Sequence, residues 1–286
     1  MCRSEIGVTD LNMEIKPMKT LYETLSSTQG FFLIAGPCVI ENETITNEIA
    51  KTLKQITDQL NISLVFKASF LKANRTSANS FTGPGISEGL KILKQIKQDY
   101  DLPILTDVHE THEIEQVALI ADIIQIPAFL CRQTSLIVEA AKSQRIINLK
   151  KGQFIAPEDM QKQVEKVLTT NNNQIILTER GTTFGYHNLV VDFRSFAIMK
   201  KTGFPVVFDV THSMQQPSIG EVSGGTPDFV PMMSKAAIAT GCVDGLFIET
   251  HPNPIEALSD ANTQFKLDLL YDVLKENAIL SRFNSN

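Results

Sequence analysis

The sequence predicts an α/β protein with one closed parallel sheet, a single-domain (β/α)8 TIM barrel over residues 1–286. Two observations lead there. Eight short apolar runs follow one another, each trailed by a stretch with helical spacing, the pattern of a parallel sheet with crossover helices. Nearly every run also ends in a residue that chemistry can use, and a closed barrel places all eight strand C-termini on one rim. Eight units suit closure better than an open doubly wound sheet. No GxGxxG follows the first run, which argues against dinucleotide binding.

Residues 1–30 precede the repeat as an N-terminal extension. Apolar and polar residues alternate from Val8 to Met18, which predicts a short hairpin able to plug the barrel floor. The first strand is expected at 31–35, with a helix at 43–60. The second is expected at 64–67, with a helix at 87–98, and the third at 103–107, with a helix at 113–121. The fourth pair is 123–126 and 135–141. The fifth is 145–149 and 157–168, where Pro157 suits a first helical turn. The sixth is 174–178 and 193–200. The seventh is 205–208 and 229–239, and the eighth 245–248 and 264–274. Two connections are long. One runs 70–86. The other, 213–228, is rich in Gly, Ser and Pro, which predicts either a mobile lid over a substrate or a plain connector.

With 43% hydrophobic and 20% charged residues, the chain is globular rather than disordered. A net charge of −6 argues against general nucleic-acid binding, which needs a basic surface. No stretch reaches the length of a membrane span, and the N-terminus lacks a signal-peptide core. A cytoplasmic location is expected. Cys2, Cys38, Cys131 and Cys242 lie far apart without a CxxC pair, so thiols or a ligand are expected rather than disulfides.

Four cations sit at or just beyond strand ends: Lys67, Lys72, Lys150 and Arg180. Cations gathered in one mouth repel each other, so an anionic substrate is the natural compensator. Arginine offers a planar fork for phosphate or carboxylate, and lysine a compact charge. A solvated rim is the bland alternative for any one of them. Cys38, His212, Glu249 and Asp260 fall at strands one, seven and eight and in the last loop. Strands one, seven and eight become neighbours on closure. A thiolate, an imidazole and two carboxylates suit a divalent Zn, Fe or Mn ion. Their spacing alone also fits a buried cysteine beside a hydrogen-bonded histidine. Two further readings stay open: Cys38 as a nucleophile with His212 as its base, and Glu249 with Asp260 as an acid–base pair. His109, His112 and His187 read as ordinary loop or helix residues, with His109 placed by position to line the rim.

Several segments resemble the 3-deoxy-D-manno-octulosonate 8-phosphate synthase family. They are IAGPCVIE (34–41), FKASFLKANRTS (66–77), GPG (83–85), LTDVHE (105–110), QIPAFLCRQT (125–134), NLKKGQF (148–154), TERGTTFGY (178–186), FDVTHSMQQP (208–217), FIETHPNP (247–254) and ALSDA (257–261). Related synthases of 3-deoxy-D-arabino-heptulosonate 7-phosphate, which take erythrose 4-phosphate, carry Lys-Pro-Arg-Thr-Ser after the second strand. Here Lys72-Ala73-Asn74-Arg75-Thr76-Ser77 stands instead, the form expected for arabinose 5-phosphate. A non-catalytic sugar-phosphate-binding barrel is a third reading.

The resemblance implies condensation of phosphoenolpyruvate with arabinose 5-phosphate and water, giving the octulosonate 8-phosphate and inorganic phosphate for the lipopolysaccharide inner core. It implies phosphoenolpyruvate contacts at Lys67, Ser69, Lys72, Lys150 and Arg180, with Gln125 and the Ala128 backbone nearby. It implies sugar contacts at Asn74, Arg75, Thr76, Ser77 and Asp107. In the family the arginine at the Arg75 position reaches the sugar phosphate of an adjacent subunit, so a homotetramer is implied. Cys38, His212, Glu249 and Asp260 match the ligands of the metal-dependent class; the metal-independent class has asparagine where Cys38 stands. Lys150, Cys38, His212 and Asp260 are the expected catalytic group. Two departures are visible. Val243 separates Cys242 from Asp244, where the class often has Cys-Asp-Gly, and the N-terminal extension is longer than the smallest members need.

Overall fold

The computed structural model describes residues 19–73, 80–216 and 224–285. Eight parallel strands pair in sequence order: β1 (Phe32–Gly36), β2 (Leu64–Lys67), β3 (Ile104–Asp107), β4 (Ile123–Ile126), β5 (Ile146–Lys150), β6 (Ile175–Glu179), β7 (Val206–Asp209) and β8 (Gly245–His251). β8 then pairs in parallel with β1, with Gly36 opposite Glu249, and the barrel closes.

The period of two along each strand divides two apolar layers. Phe32, Ile34, Val65, Leu105, Ile123, Ile146, Ile176, Val207 and Phe247 fill the interior. Alternate residues, among them Leu33, Phe66, Ile124, Ile147, Leu177, Phe208 and Ile248, face the helices. The helices are α1 (Leu21–Ser26), α2 (Glu43–Leu60), α3 (Ile86–Tyr100), α4 (Ile114–Ala118), α5 (Thr134–Lys142), α6 (Met160–Leu168), α7 (Arg194–Lys200), α8 (Val210–Ser213), α9 (Val230–Ala239) and α10 (Leu270–Ser281). α2 shows how sequence sets them. Asn42 caps its first turn through Ile45 N–H at 2.9 Å, and Asn61 ends it in the left-handed conformation. Between the caps, Thr46, Ile49, Ala50, Leu53, Ile56 and Thr57 form the buried stripe.

The predicted hairpin over 8–18 lies outside the described residues. Within them the floor is closed by α1: a Thr20–Glu23 capping box starts it, and Leu25 joins the inner layer. Tyr22 Oη reaches the Ile175 carbonyl at 3.3 Å.

The expected elements are present, with differences in extent. The helix expected at 113–121 is a 3-10 turn, Thr111–Glu113, followed by the shorter α4. The helix expected at 264–274 starts later. Residues Phe265–Lys266 instead pair with the end of β8, which lengthens that strand to His251. Thr250 Oγ1 donates to the Phe265 carbonyl at 2.8 Å, holding that segment extended. Two ribbons were not expected: Thr182–Thr183 with Leu189–Val190 after β6, and Gln215–Gln216 with Gly224–Gly225 after β7. Of the expected lid, 213–228, residues 217–223 lie outside the described set, and its described ends carry the second of these ribbons. Among the described residues no helix is long and apolar enough to cross a membrane.

Candidate active site

The C-terminal rim gathers the predicted residues from β1, β2, β5, β6, β7 and β8. Glu249 lies on β8, Cys38 two residues past β1, and Asp260 in the loop after β8. One ligand atom from each of Cys38, Glu249 and Asp260 lies within 4.8 Å of the others. Cys38 Sγ is 3.1 Å from Asp260 Oδ2. His212 stands beside this triad, its Nε2 3.5 Å from Glu249 Oε2. Its Nδ1 lies 2.8 Å from Asp209 Oδ2. An ionised carboxylate only accepts, so Nδ1 donates and Nε2 faces the triad.

A divalent cation fits this donor set. A thiol, two carboxylates and an imidazole held from behind by a carboxylate are ordinary first-row ligands. A positive group already sits among them. Lys72 Nζ contacts Cys38 Sγ at 2.9 Å and Asp260 Oδ2 at 3.0 Å. Burial, then the charges of Asp260 and Glu249, push the Cys38 thiol well above its ordinary pKa. A metal ion would reverse that balance, since coordination deprotonates a thiol outright. Burial alone would raise Asp260, but Lys72 and His212 hold it below the usual carboxylate range.

The cations surround the triad. Lys67 Nζ donates to Glu249 Oε1 at 2.5 Å and to the Cys38 carbonyl at 2.7 Å. Lys150 Nζ lies 2.5 Å from Asp209 Oδ2 and 3.5 Å from His212 Nδ1. Both ammonium groups lie over the Phe247 ring, Lys150 at 3.9 Å and Lys67 at 5.8 Å from its centroid. Arg180 Nη2 donates to Gln215 Oε1 at 3.0 Å, and Gln215 Nε2 reaches Asp260 Oδ1 at 3.3 Å. Arg180 Nη1 is buried without a hydrogen-bond partner among the described residues. A buried guanidinium N–H left unpaired calls for an acceptor. Burial pulls both Lys150 and Arg180 below their ordinary pKa, with Asp209 opposing it. An added anion relieves that strain.

Ser69 and Asp107 form the next stretch of rim. Ser69 Oγ donates to Asp107 Oδ1 at 2.5 Å, and His109 Nε2 lies 3.1 Å from Asp107 Oδ2. Inside the barrel, Asn148 Nδ2 donates to Gln125 Oε1 at 2.9 Å, and Thr178 Oγ1 donates to Asn148 Oδ1 at 2.6 Å. Ala128, itself buried, begins a 3-10 turn after β4. Asn74, Arg75, Thr76 and Ser77 lie outside the described residues. Lys72 and Lys67 both contact the triad, whereas Lys150 pairs with Asp209 and Arg180 with Gln215. The Val243 departure touches none of this. Asp244 lies at the start of β8, where it pairs with Lys200 at 2.7 Å.

Sequence reasoning passed over three residues here. Asp209 carries both His212 and Lys150. Gln215 joins Arg180 to Asp260. Gln264 accepts the Cys38 backbone N–H at 3.2 Å and donates to the Ser259 carbonyl at 2.9 Å. Only Asp209 had a readable signal, an acid three residues before a histidine at a strand end.

The DAHP synthetase I family pattern matches residues 24–280. This chain belongs to the DAHP synthetase I family. It is 54% identical over 245 residues to the 2-dehydro-3-deoxyphosphooctonate aldolase of Geotalea daltonii, covering 85% of this chain and 90% of that one. The protein of the same name from Geobacter sulfurreducens gives the same identity and coverage. That of Francisella tularensis subsp. holarctica is 51% identical over 263 residues, 91% of this chain and 95% of the relative. Family membership rests on nearly the whole barrel, including every rim segment described above.

Proposed function

We propose that this chain is a 3-deoxy-8-phosphooctulonate synthase, joining phosphoenolpyruvate to D-arabinose 5-phosphate with release of inorganic phosphate in lipopolysaccharide inner-core synthesis. The observation that carries this reading is the buried, unpartnered Arg180 Nη1 among Lys150, Lys67 and the acidic triad. A small multiply charged anion beside a divalent cation is what such a mouth accommodates. The names of the relatives specify an eight-carbon phosphorylated acid, and the three carbons of phosphoenolpyruvate leave five for the acceptor sugar phosphate.

Arg180 and Lys150 hold the phosphate and carboxylate of phosphoenolpyruvate, turning a bimolecular collision into an oriented encounter. Its C3 bonds to C1 of the sugar, whose carbonyl oxygen takes up a proton. Water adds at C2, and the phosphorylated hemiketal loses phosphate by C–O cleavage. Lys150 and Arg180 stabilise the charge on the departing phosphate. Ser69, Asp107 and Gln125 line the remainder of the pocket, with Ala128 contributing its backbone, and Asn74, Arg75, Thr76 and Ser77 take the sugar phosphate. Cys38, His212, Glu249 and Asp260 hold one divalent ion, Zn, Fe or Mn, which when bound polarises the aldehyde or lowers the pKa of a water.

A homotetramer is part of this reading, because Arg75 is assigned to a neighbouring subunit's site. Phe184 and Tyr186, beside the ribbon after β6, are large exposed side chains that a subunit contact would cover. A cytoplasmic location is consistent with free Cys38, Cys131 and Cys242. The deciding experiment is a phosphate-release assay with metal-loaded protein and each sugar. Arabinose 5-phosphate is the expected substrate; a preference for erythrose 4-phosphate moves the chain to the heptulosonate branch. Binding without phosphate release would favour a non-catalytic barrel.

A further inference from the structure

Glu249 and Asp260 reach the triad by different means. Glu249 sits on a barrel strand, its N–H donating to Thr211 Oγ1 at 3.1 Å. Asp260 sits in a loop and takes a positive φ of 49°, a conformation that a non-glycine residue keeps only when its surroundings enforce it. The residues after Asp260 contribute, since Thr263 and Gln264 both donate backbone N–H groups to its carbonyl. The approach to Asp260 needs its own anchor, because residues 252–259 cross the rim with only the 3-10 turn Pro254–Glu256.

Gln264 holds the Ser259 carbonyl from one side, and a second anchor is Glu41, three residues after Cys38. Its side chain is 4% exposed, and so is that of His251. Glu41 Oε1 accepts the Leu258 N–H at 2.9 Å, two residues before Asp260. The same oxygen lies 3.6 Å from His251 Nε2. His251 Nδ1 accepts the Asn253 N–H at 3.1 Å, so its ring hydrogen is on Nε2, which makes no hydrogen bond among the described residues. One carboxylate therefore ties the segment leaving β1 to the Asp260 loop, with His251 at the end of β8 beside it. We infer that Glu41 is a positioning residue that sets the separation of Cys38 and Asp260, and through it the affinity of the site for a divalent cation.

This inference rests on the metal reading of the triad. It is tested on the full chain, prepared metal-free, by titrating Mn²⁺ and Zn²⁺ against a competing chelator, with the Tm of each metal-free variant measured alongside. Glu41→Ala removes the anchor and is expected to weaken binding by about 10- to 100-fold, the usual effect of losing an outer-sphere partner. Glu41→Gln keeps an acceptor at the same place and is expected to bind close to wild type. Leu258→Pro removes the N–H while leaving Glu41 intact. The Ala257 backbone, at φ −61° and ψ 134°, already has the extended conformation a following proline requires. It is expected to weaken binding as alanine does. If the alanine variant does not fold, the contrast between the glutamine and proline variants decides. Equal affinity in all variants overturns the inference, as does a loss of affinity that merely tracks Tm. A wild-type protein that takes up neither ion overturns the metal reading and this inference with it; one that binds while the variants bind equally well overturns the inference alone.

Discussion

Asp209 grips His212 twice. Its Oδ1 accepts the His212 backbone N–H at 2.9 Å, and its Oδ2 takes the ring Nδ1 at 2.8 Å. The second contact fixes the tautomer and the ring plane, and the same oxygen binds Lys150. Asp209→Asn keeps the shape but loses the charge that both partners use. We expect kcat/KM and divalent-ion affinity each to fall by about 10- to 100-fold. Phosphate-release kinetics and chelator-competition titration would read the two effects separately.

Removal of the ion should abolish turnover. Dialysis against a strong chelator is expected to leave protein without activity, and Mn²⁺ or Zn²⁺ should restore part of it. Full activity at nil metal content, checked by elemental analysis, would refute the assignment of Cys38, His212, Glu249 and Asp260 as ligands. The Cys38→Asn variant is expected to retain partial metal-free activity.

Arg75 carries the sugar-phosphate assignment. Arg75→Ala should raise KM for arabinose 5-phosphate far more than KM for phosphoenolpyruvate. Equal rises in steady-state kinetics with each substrate varied in turn would contradict that role.

Gly36 ends β1 against the backbone of β2. A Cβ there would lie 1.9 Å from the Lys67 carbonyl oxygen, so even alanine must part the two strands. Gly36→Ala is expected to destabilise by at least about 1–3 kcal/mol, the usual cost of overpacking, read as a lower urea midpoint. It should also raise KM for phosphoenolpyruvate, because Lys67 moves with its backbone.

Acid should unfold the metal-free protein through its rim carboxylates. Burial alone would raise Asp107, but the hydrogen bond and charge of His109, aided by Lys67, hold it well below its ordinary value. For Asp209, His212 and Lys150 outweigh burial in the same way. A depressed folded pKa means the unfolded chain takes up protons first on acidification. The stabilisation is therefore full above the unfolded value of about 3.9 and fades as pH falls from there toward the folded values. Denaturation midpoints should hold from pH 6 to about pH 4 and decline below it, less steeply in Asp107→Asn. A slope unchanged in that variant would count against Asp107 as a contributor.

Much of the barrel was readable because its signal is local. β2, β4 and α2 fall at their expected positions, since apolar period and caps are properties of short segments. The strand-end residues were readable as a set because closure alone brings them together. The parts that differed depend on long-range contacts. Phe265–Lys266 is extended because β8 lies beside it, whereas its own spacing suits a helix. Lys72 turned to the triad because Cys38 and Asp260 are there, 34 and 188 residues away. Gln215 and Gln264 act through side-chain amides whose partners no spacing rule identifies.

The seam between the first and last strands has a temporal meaning. Cys38 and Lys67 leave the ribosome early, while Glu249 and Asp260 are made only in the final stretch of synthesis. A chain still missing that stretch has Cys38 and His212 but neither acid, and so only half of the proposed ligand set. If the proposed centre binds its ion, loading would thereby fall after these last residues are made, and uptake of a divalent ion would report closure of the ring.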